Sequence, residues 1–330
     1  MYKRIKQLLD DAQHIVVIQA ENPDGDSLGS ALALEEILSD QGKTVTLYCA
    51  VDMPKYLRHI SDWDRVVSEL PTKADTALIV DTVSDTLLSK TLANPAAAHF
   101  LGSHPVVVLD HHDGVESTLP FAHELVSDGT AVATGELIAT IARELKWPVN
   151  AAAAAALYNA IMSDSLGLTT ASTTAESYRT VAYLIDCGAV PFELENERRK
   201  FMKKTAEILT YKGVLIQRVE YYLDGALAYV HIPWEEIEQY SDQYNPSMLV
   251  LDEMRLVENV MVAVALKTYP DGRVTAKIRA NPEAKVADAI AGYFGGGGHG
   301  YAAGFRAYDS LETVKRELLE ATDKALKGLG

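Results

Sequence analysis

The sequence predicts an α/β protein in two bodies: a first domain built on a mostly parallel sheet, then a smaller α+β domain. Three observations carry that prediction. The chain has 330 residues, 48% of them apolar, enough to fill two cores at roughly 150 residues each. Up to about residue 188, short apolar runs alternate with helical periodicities, the pattern of strands joined by crossover helices. Further along, the apolar runs are joined by turn residues such as Pro270-Asp271-Gly272, the pattern of hairpins.

In chain order, residues 4–13 read as a short helix, and HIVVI (14–18) as a buried strand that ends at the polar loop QAENPDGDS. Residues 30–38 (SALALEEIL) keep helical spacing, Gly42 closes them, and 44–48 return to strand, so the chain opens as a βαβ unit. Strands at 76–80 (TALIV) and 106–109 (VVVL) each run into acidic or histidine residues. Helices follow at about 131–145, at 151–161, where consecutive alanines make the strongest helix former of the chain, and at 175–185. Gly188 and Pro191 interrupt the pattern, and ELENERRKFMKKTAEIL reads as a solvated connecting helix. Strands are predicted at 213–220, 226–232, 259–267 and 272–279. The division is therefore a first domain at 1–188, a helical linker at 189–212 and a second domain at 213–330.

Lys plus Arg number 30 against 46 Asp plus Glu, a formal charge of -16. That balance disfavours passive attraction to long nucleic acid or to an anionic membrane. An anionic substrate is not, because carboxylates can hold a phosphate through divalent cations. Cys49 and Cys187 stand apart with no CxxC, which fits a reducing compartment. The first residues carry charges without a cleavage site, and nowhere do about 18 uncharged apolar residues run together. The expectation is a soluble cytoplasmic protein.

Asp24 and Asp26, two apart after a buried strand, can converge on a hard cation, although alone the pair reads as an ordinary Asx-rich turn. Asp81 follows the TALIV strand, Asp110-His111-His112 follows VVVL, and Asp164 lies just past the alanine-rich helix. In a parallel sheet, residues beyond the strands' C-terminal ends collect along one crevice, so these distant segments become neighbours. Carboxylates with imidazole suit Mn²⁺ or Mg²⁺. In GYFGGGGHGYAAGF, successive glycines expose backbone N–H groups that a phosphate can approach, with His299 beside them and a small-residue helix behind. By composition alone a floppy loop is an equal contender, and the spacing matches neither Walker A nor a dinucleotide fingerprint.

Taken in order, ENPDGDS, the Asp81 loop, LDHHDG, IMSDS and GGGGHGYAAG resemble the DHH/DHHA1 phosphoesterases, most closely the bacterial nanoRNase and pAp-phosphatase branch, over nearly the whole chain. The resemblance implies a DHH domain and a smaller DHHA1 domain with an active-site cleft between them. It implies a hydrolase with two Mn²⁺ ions, Mg²⁺ being the alternative. Such an enzyme degrades very short oligoribonucleotides or linear dinucleotides to mononucleotides, and some members also remove the 3′-phosphate of 3′-phosphoadenosine 5′-phosphate. Carried onto this chain, it makes Asp24 a ligand of the first metal, Asp26 a ligand of the second and Asp81 the bridging carboxylate, with His111 and Asp164 completing the second metal. His112 would face the scissile phosphate with Asp110 buttressing the histidines. Arg279 of KIRAN, Gly296, Gly297, Gly298 and His299 would bind substrate. The implied partners are short RNA or small phosphorylated nucleotides, without long nucleic acid or membrane, and the alanine-rich helices leave faces that would support a homodimer.

Two departures stand out. The family's first motif begins with a metal-binding histidine where this chain has Ala20, and the neighbouring Glu21 leaves the strand in a different direction. The family reads DTG where this chain has Asp164-Ser165-Leu166, a leucine at the position of the glycine that eases the turn. The expectation is a weak first metal and activity that is reduced or depends on high Mn²⁺. The rival from another class is a non-catalytic nucleotide-binding protein with an impaired first site.

Overall fold

HIVVIQ forms strand β1 (His14–Gln19), and every residue after His14 is buried because the sheet is covered on both faces. The computed structural model describes residues 2–71 and 73–328. It divides into two units, Met1–Lys203 and Lys204–Gly330.

The first unit runs α1 (Lys3–Asp11), β1, α2 (Gly25–Ser39), β2 (Thr44–Tyr48), β3 (Thr76–Val80), α3 (Ser89–Ala93), α4 (Pro95–Ser103), β4 (Val106–Asp110), β5 (Glu124–Ser127), α5 (Thr134–Leu145), α6 (Ala151–Asp164), α7 (Ala175–Asp186) and α8 (Pro191–Phe201). Its sheet is parallel throughout, in the order β2-β1-β3-β4-β5. Side chains alternate across it: Ile15, Val17, Leu78 and Val80 pack with Leu28, Leu137 and Ile161 of α2, α5 and α6. Val16, Ile18, Ile79 and Val108 pack with Leu88 and Leu101 on the opposite face. The chain leaves β1 for β2 on one side and returns to β3 on the other, so the strand order reverses between β1 and β3. Ligands of open α/β sheets bind beyond the strand ends at such a switch.

Helix α2 starts at Gly25, five residues before the predicted 30–38 segment, because the Asp24 carboxylate caps it by accepting from the backbone N–H groups of Asp26 and Ser27. The alanine-rich α6 packs closely on α2: a Cβ at Gly29 would lie 2.5 Å from the Ala156 carbonyl oxygen. Small side chains on both helices permit that approach.

The second unit comprises α9 (Ala206–Gln217), β6 (Glu220–Tyr222), β7 (Leu227–Ile232), α10 (Trp234–Tyr240), α11 (Leu251–Arg255), β8 (Val262–Thr268), β9 (Val274–Ala280), α12 (Ala287–Tyr293), β10 (Gly297–His299), β11 (Ala302–Ala307) and α13 (Leu311–Lys327). Its sheet order is β10-β11-β9-β8-β7-β6, with only β7 and β8 parallel. The strand predicted at 213–220 is a correction: most of it belongs to α9. Ile208, Tyr211 and Leu215 recur at helical spacing and are buried against Ala228, Val230 and Ala263, and only Glu220 onward pairs as strand. The segment read as one connecting helix is two, α8 and α9, the first in one unit and the second in the other. Ala302-Ala303-Gly304 is strand, and the small-residue helix packed behind the glycines is α12, which precedes them. Among the described residues no helix is long and apolar enough to cross a membrane.

Candidate metal centre

Asp26 sits in the first turn of α2 with 0% exposure. Its carboxylate accepts hydrogen bonds from the backbone N–H groups of Thr134 (2.7 Å) and Gly135 (2.9 Å) at the start of α5, and from the Ser30 hydroxyl (3.2 Å). Asp81, immediately after β3, has φ +63°, a left-handed conformation that costs a non-glycine residue and gathers at functional sites. Its N–H donates to the Leu109 carbonyl and its Oδ1 accepts from the Thr134 hydroxyl at 3.1 Å. Thr134 thus orients both acids, a role the sequence reading missed because a threonine at a helix start has no distinguishing signal.

His111 follows β4. Its Nδ1 faces the Ala131 carbonyl at 3.3 Å, a contact that requires a proton on Nδ1 and leaves Nε2 for the site. Nε2 lies 3.2 Å from Asp164 Oδ2, 3.7 Å from Asp26 Oδ2 and 3.7 Å from Asp81 Oδ1. Despite that proximity it is buried without a hydrogen bond of its own. Asp164 is the last residue of α6, brought here by the close packing of α6 on α2.

Burial pushes the Asp26 carboxyl up to about 6, with the Asp164 charge adding to the effect. Burial, then the charges of Asp26, Asp24 and Asp164, raise Asp81 well above the carboxylate range. For His111, burial disfavours the charged ring, but the Asp164 and Asp26 carboxylates outweigh it and lift the imidazole to about 9. Without metal, a proton therefore occupies the place where positive charge is wanted. The atoms fit divalent cations: Asp26, His111 and Asp164 form one group whose ligand atoms lie within 4.8 Å of one another, and Asp81, His111 and His112 form another. The buried His111 Nε2, facing three carboxylates, suits a metal ligand.

His112 is half exposed, and its Nδ1 lies 2.9 Å from Oδ1 of the buried Asp110, whose Oδ2 accepts from the His112 backbone N–H at 3.1 Å. This hydrogen bond raises the His112 pKa and fixes which ring nitrogen faces outward.

The positions that the family resemblance assigns to a first metal differ. Asp24 belongs to neither ligand group, and its Oδ1 is engaged as the cap of α2. Ala20 presents a buried methyl group. Glu21 turns away from the site, accepting from the Thr91 backbone N–H (2.8 Å) and the Ser89 hydroxyl (3.1 Å). Gln19, one residue before Ala20, is fully buried with both amide atoms unpaired. Just after IMSDS, Leu166 adopts φ +49°, so the turn keeps a glycine-type conformation without the glycine.

In the second unit, the register pairs His299 with Ala302 and Ala302 with Arg279, placing Arg279 and His299 in one cross-strand row on one face. Lys277, Gly304 and Gly297 form the adjacent row. Arg279, Ala302, Lys277, Gly304 and Gly297 of these rows line an open groove of about 680 Å³ that also takes in Gly296 and Gly298, while His299 lies outside its lining. Gly298 has φ +143°, and a Cβ there would lie 2.5 Å from the Ala302 carbonyl oxygen. Gly297 and Gly298 are therefore strand at the floor of a cation-flanked groove, while Gly295 and Gly296 form the turn that leads into it. The Arg279 guanidinium donates to the Ile278 carbonyl at 3.0 Å.

Residues 14–161 match the family model described as DHH family, N-terminal domain. Over 315 residues the chain is 29% identical to the bifunctional oligoribonuclease and PAP phosphatase NrnA of Thermus thermophilus, covering 91% of this chain and 89% of that protein. Among solved structures, an exopolyphosphatase-related protein from Bacteroides fragilis superposes with a TM-score of 0.85 at 20% identity, over 99% of this chain and 96% of that one. RecJ from Thermus thermophilus in complex with Mn²⁺ gives a TM-score of 0.52 at 14% identity, over 98% of this chain and 54% of that one. These two structural likenesses concern the fold.

Proposed function

We propose that this chain, whose residues 14–161 match the DHH family N-terminal-domain model, is a metal-dependent phosphoesterase acting on very short oligoribonucleotides or linear dinucleotides, and on the 3′-phosphate of 3′-phosphoadenosine 5′-phosphate. The observation that carries the reading is the convergence of Asp26, Asp81 and Asp164 on the unpaired Nε2 of His111. Manganese ions held by Asp26, His111 and Asp164, and by Asp81 with Asp24, would supply Lewis acidity and a nucleophile at neutral pH. Thr134 holds Asp26 and Asp81 in place before substrate arrives. His112, with Nδ1 held by Asp110, presents Nε2–H to the phosphate, where it neutralises developing charge and can pass a proton to the leaving oxygen. Arg279, Lys277 and the glycine floor offer a groove for further phosphates. The relative named as an oligoribonuclease and PAP phosphatase supports the choice of substrates.

The test is release of mononucleotide from a labelled RNA dinucleotide, a five-residue RNA and 3′-phosphoadenosine 5′-phosphate across a Mn²⁺ series, with Asp81→Asn as control. Release that disappears in the variant is the expected result. No release at any Mn²⁺ concentration, with nucleotide still bound, favours the second reading, for which Ala20 is the motive: a nucleotide-binding protein with one impaired metal position.

A further inference from the structure

A pocket of about 640 Å³, wholly within the first unit, opens beside the metal centre and includes Asp24 and Ser163 in its wall. Its volume lies inside the range of about 300–1,000 Å³ typical of small-molecule sites. Tyr56, Ile60, Tyr158, Met162 and Leu166 supply most of its aromatic and apolar lining.

Two of these side chains are placed in ways that packing does not explain. Leu166 holds φ +49° while 74% exposed. A branched side chain in the left-handed region is strained, and here no core burial offsets the strain. Tyr56 is 60% exposed, yet its ring is pinned, because its hydroxyl donates to the Pro23 carbonyl at 2.8 Å. Pro23 belongs to the same loop as Asp24 and Asp26, so the metal-binding loop itself fixes an open aromatic face at the pocket. A rigid aromatic surface next to a phosphate site is suited to stacking a base.

We propose that this pocket is the nucleoside subsite, in which the base of the nucleotide esterified to the reacting phosphate lies against Tyr56 while Leu166 closes over it. The inference rests on the phosphoesterase reading and deepens it. Continuity supports it: Asp24 lines the pocket, and Ser163 precedes the ligand Asp164, so a phosphate at the acids leaves its nucleoside at the pocket mouth. Stacking is tolerant of base identity. The pocket would therefore favour nucleotides over inorganic phosphoanhydrides without choosing one base. The leucine in place of the turn glycine becomes a contact residue, and its backbone strain has a function.

The experiment compares wild type, Leu166→Gly and Tyr56→Ala by two readouts. One is kcat/KM on an RNA dinucleotide and on its abasic analogue, and the other is AMP affinity by calorimetry with Mn²⁺ present. The expected result for Tyr56→Ala is a fall of roughly 5- to 100-fold in the dinucleotide-to-abasic ratio and in AMP affinity, the size of one lost base–aromatic stack, and for Leu166→Gly a smaller fall in both. Leu166→Gly should melt no lower than wild type, so its loss cannot be attributed to unfolding. Unchanged AMP affinity in both variants overturns the subsite, whether or not any ester is hydrolysed. If no ester is hydrolysed by the wild type but AMP binding weakens in both variants, the phosphoesterase reading fails and the subsite stands.

Discussion

His111 Nε2 stands 3.2 Å from Asp164 Oδ2, although one residue follows a strand and the other ends a helix more than fifty positions later in the chain. The ring lies between the Ala131 carbonyl, which faces Nδ1, and Asp26 and Asp81, which stand 3.7 Å from Nε2. An imidazole surrounded by three acids is stable only with a positive charge among them, supplied by a proton or by a metal.

That exchange sets a pH dependence. His111 is lifted to about 9 in the metal-free protein, above its ordinary value of about 6.5. Its contribution to stability is therefore complete below about 6.5 and lost as the pH rises through about 9. Asp26, at about 6 when folded and about 3.9 when unfolded, binds an extra proton in the native state between those values, so stability also falls as pH rises through that window. Binding of Mn²⁺ at about pH 7.5 should release about one proton, detected by calorimetry in two buffers of different ionisation enthalpy. Proton-free binding would show that His111 is not a ligand.

Ala20→His should supply a donor where the family resemblance expects a metal-binding histidine. The expected outcome is a fall of about tenfold or more in the Mn²⁺ concentration needed for half-maximal activity, consistent with one added ligand. Bound Mn²⁺ counted by elemental analysis should rise toward two per chain. An unchanged count in a folded variant would mean that Ala20 does not face the first metal.

Gln19→Leu removes an amide whose two polar atoms are buried and unpaired. Leaving such a group unsatisfied costs about 1–3 kcal/mol, and leucine fills similar volume without that cost. The metal-free variant should melt about 2–4 °C higher for each kcal/mol recovered in a unit of this size. A lower melting temperature would show that the amide has a partner in solution, such as an ordered water.

Much of the architecture was legible in the residues themselves. Runs such as TALIV and VVVL were readable because strands buried on both faces exclude polar residues, and the alanine run because nothing else in the chain favours helix so strongly. The segment at 213–220 misled because GVLI suits a strand as well as a helix, and only the burial of Ile208, Tyr211 and Leu215 on one stripe decides between them. β5, with alternating half-buried and exposed residues, and the three-residue β10 carry too little apolar signal to stand out.

Residue identity alone supplied the candidate groups: acids and histidines at Asp24, Asp26, Asp81, His111 and Asp164, the Asp110-His112 pair, the glycine run beside His299, and an alanine at position 20. These are matters of composition at given positions. Tertiary structure alone decided that Thr134 clamps Asp26 and Asp81, that Asp24 caps a helix, that Glu21 turns away, and that Tyr56 and Leu166 face one pocket. The physical reason is range. Residue chemistry and local periodicity act over a few positions, whereas a hydrogen bond between Thr134 and Asp26, or the approach of α6 to α2, depends on segments brought together only when both faces of the sheet are buried.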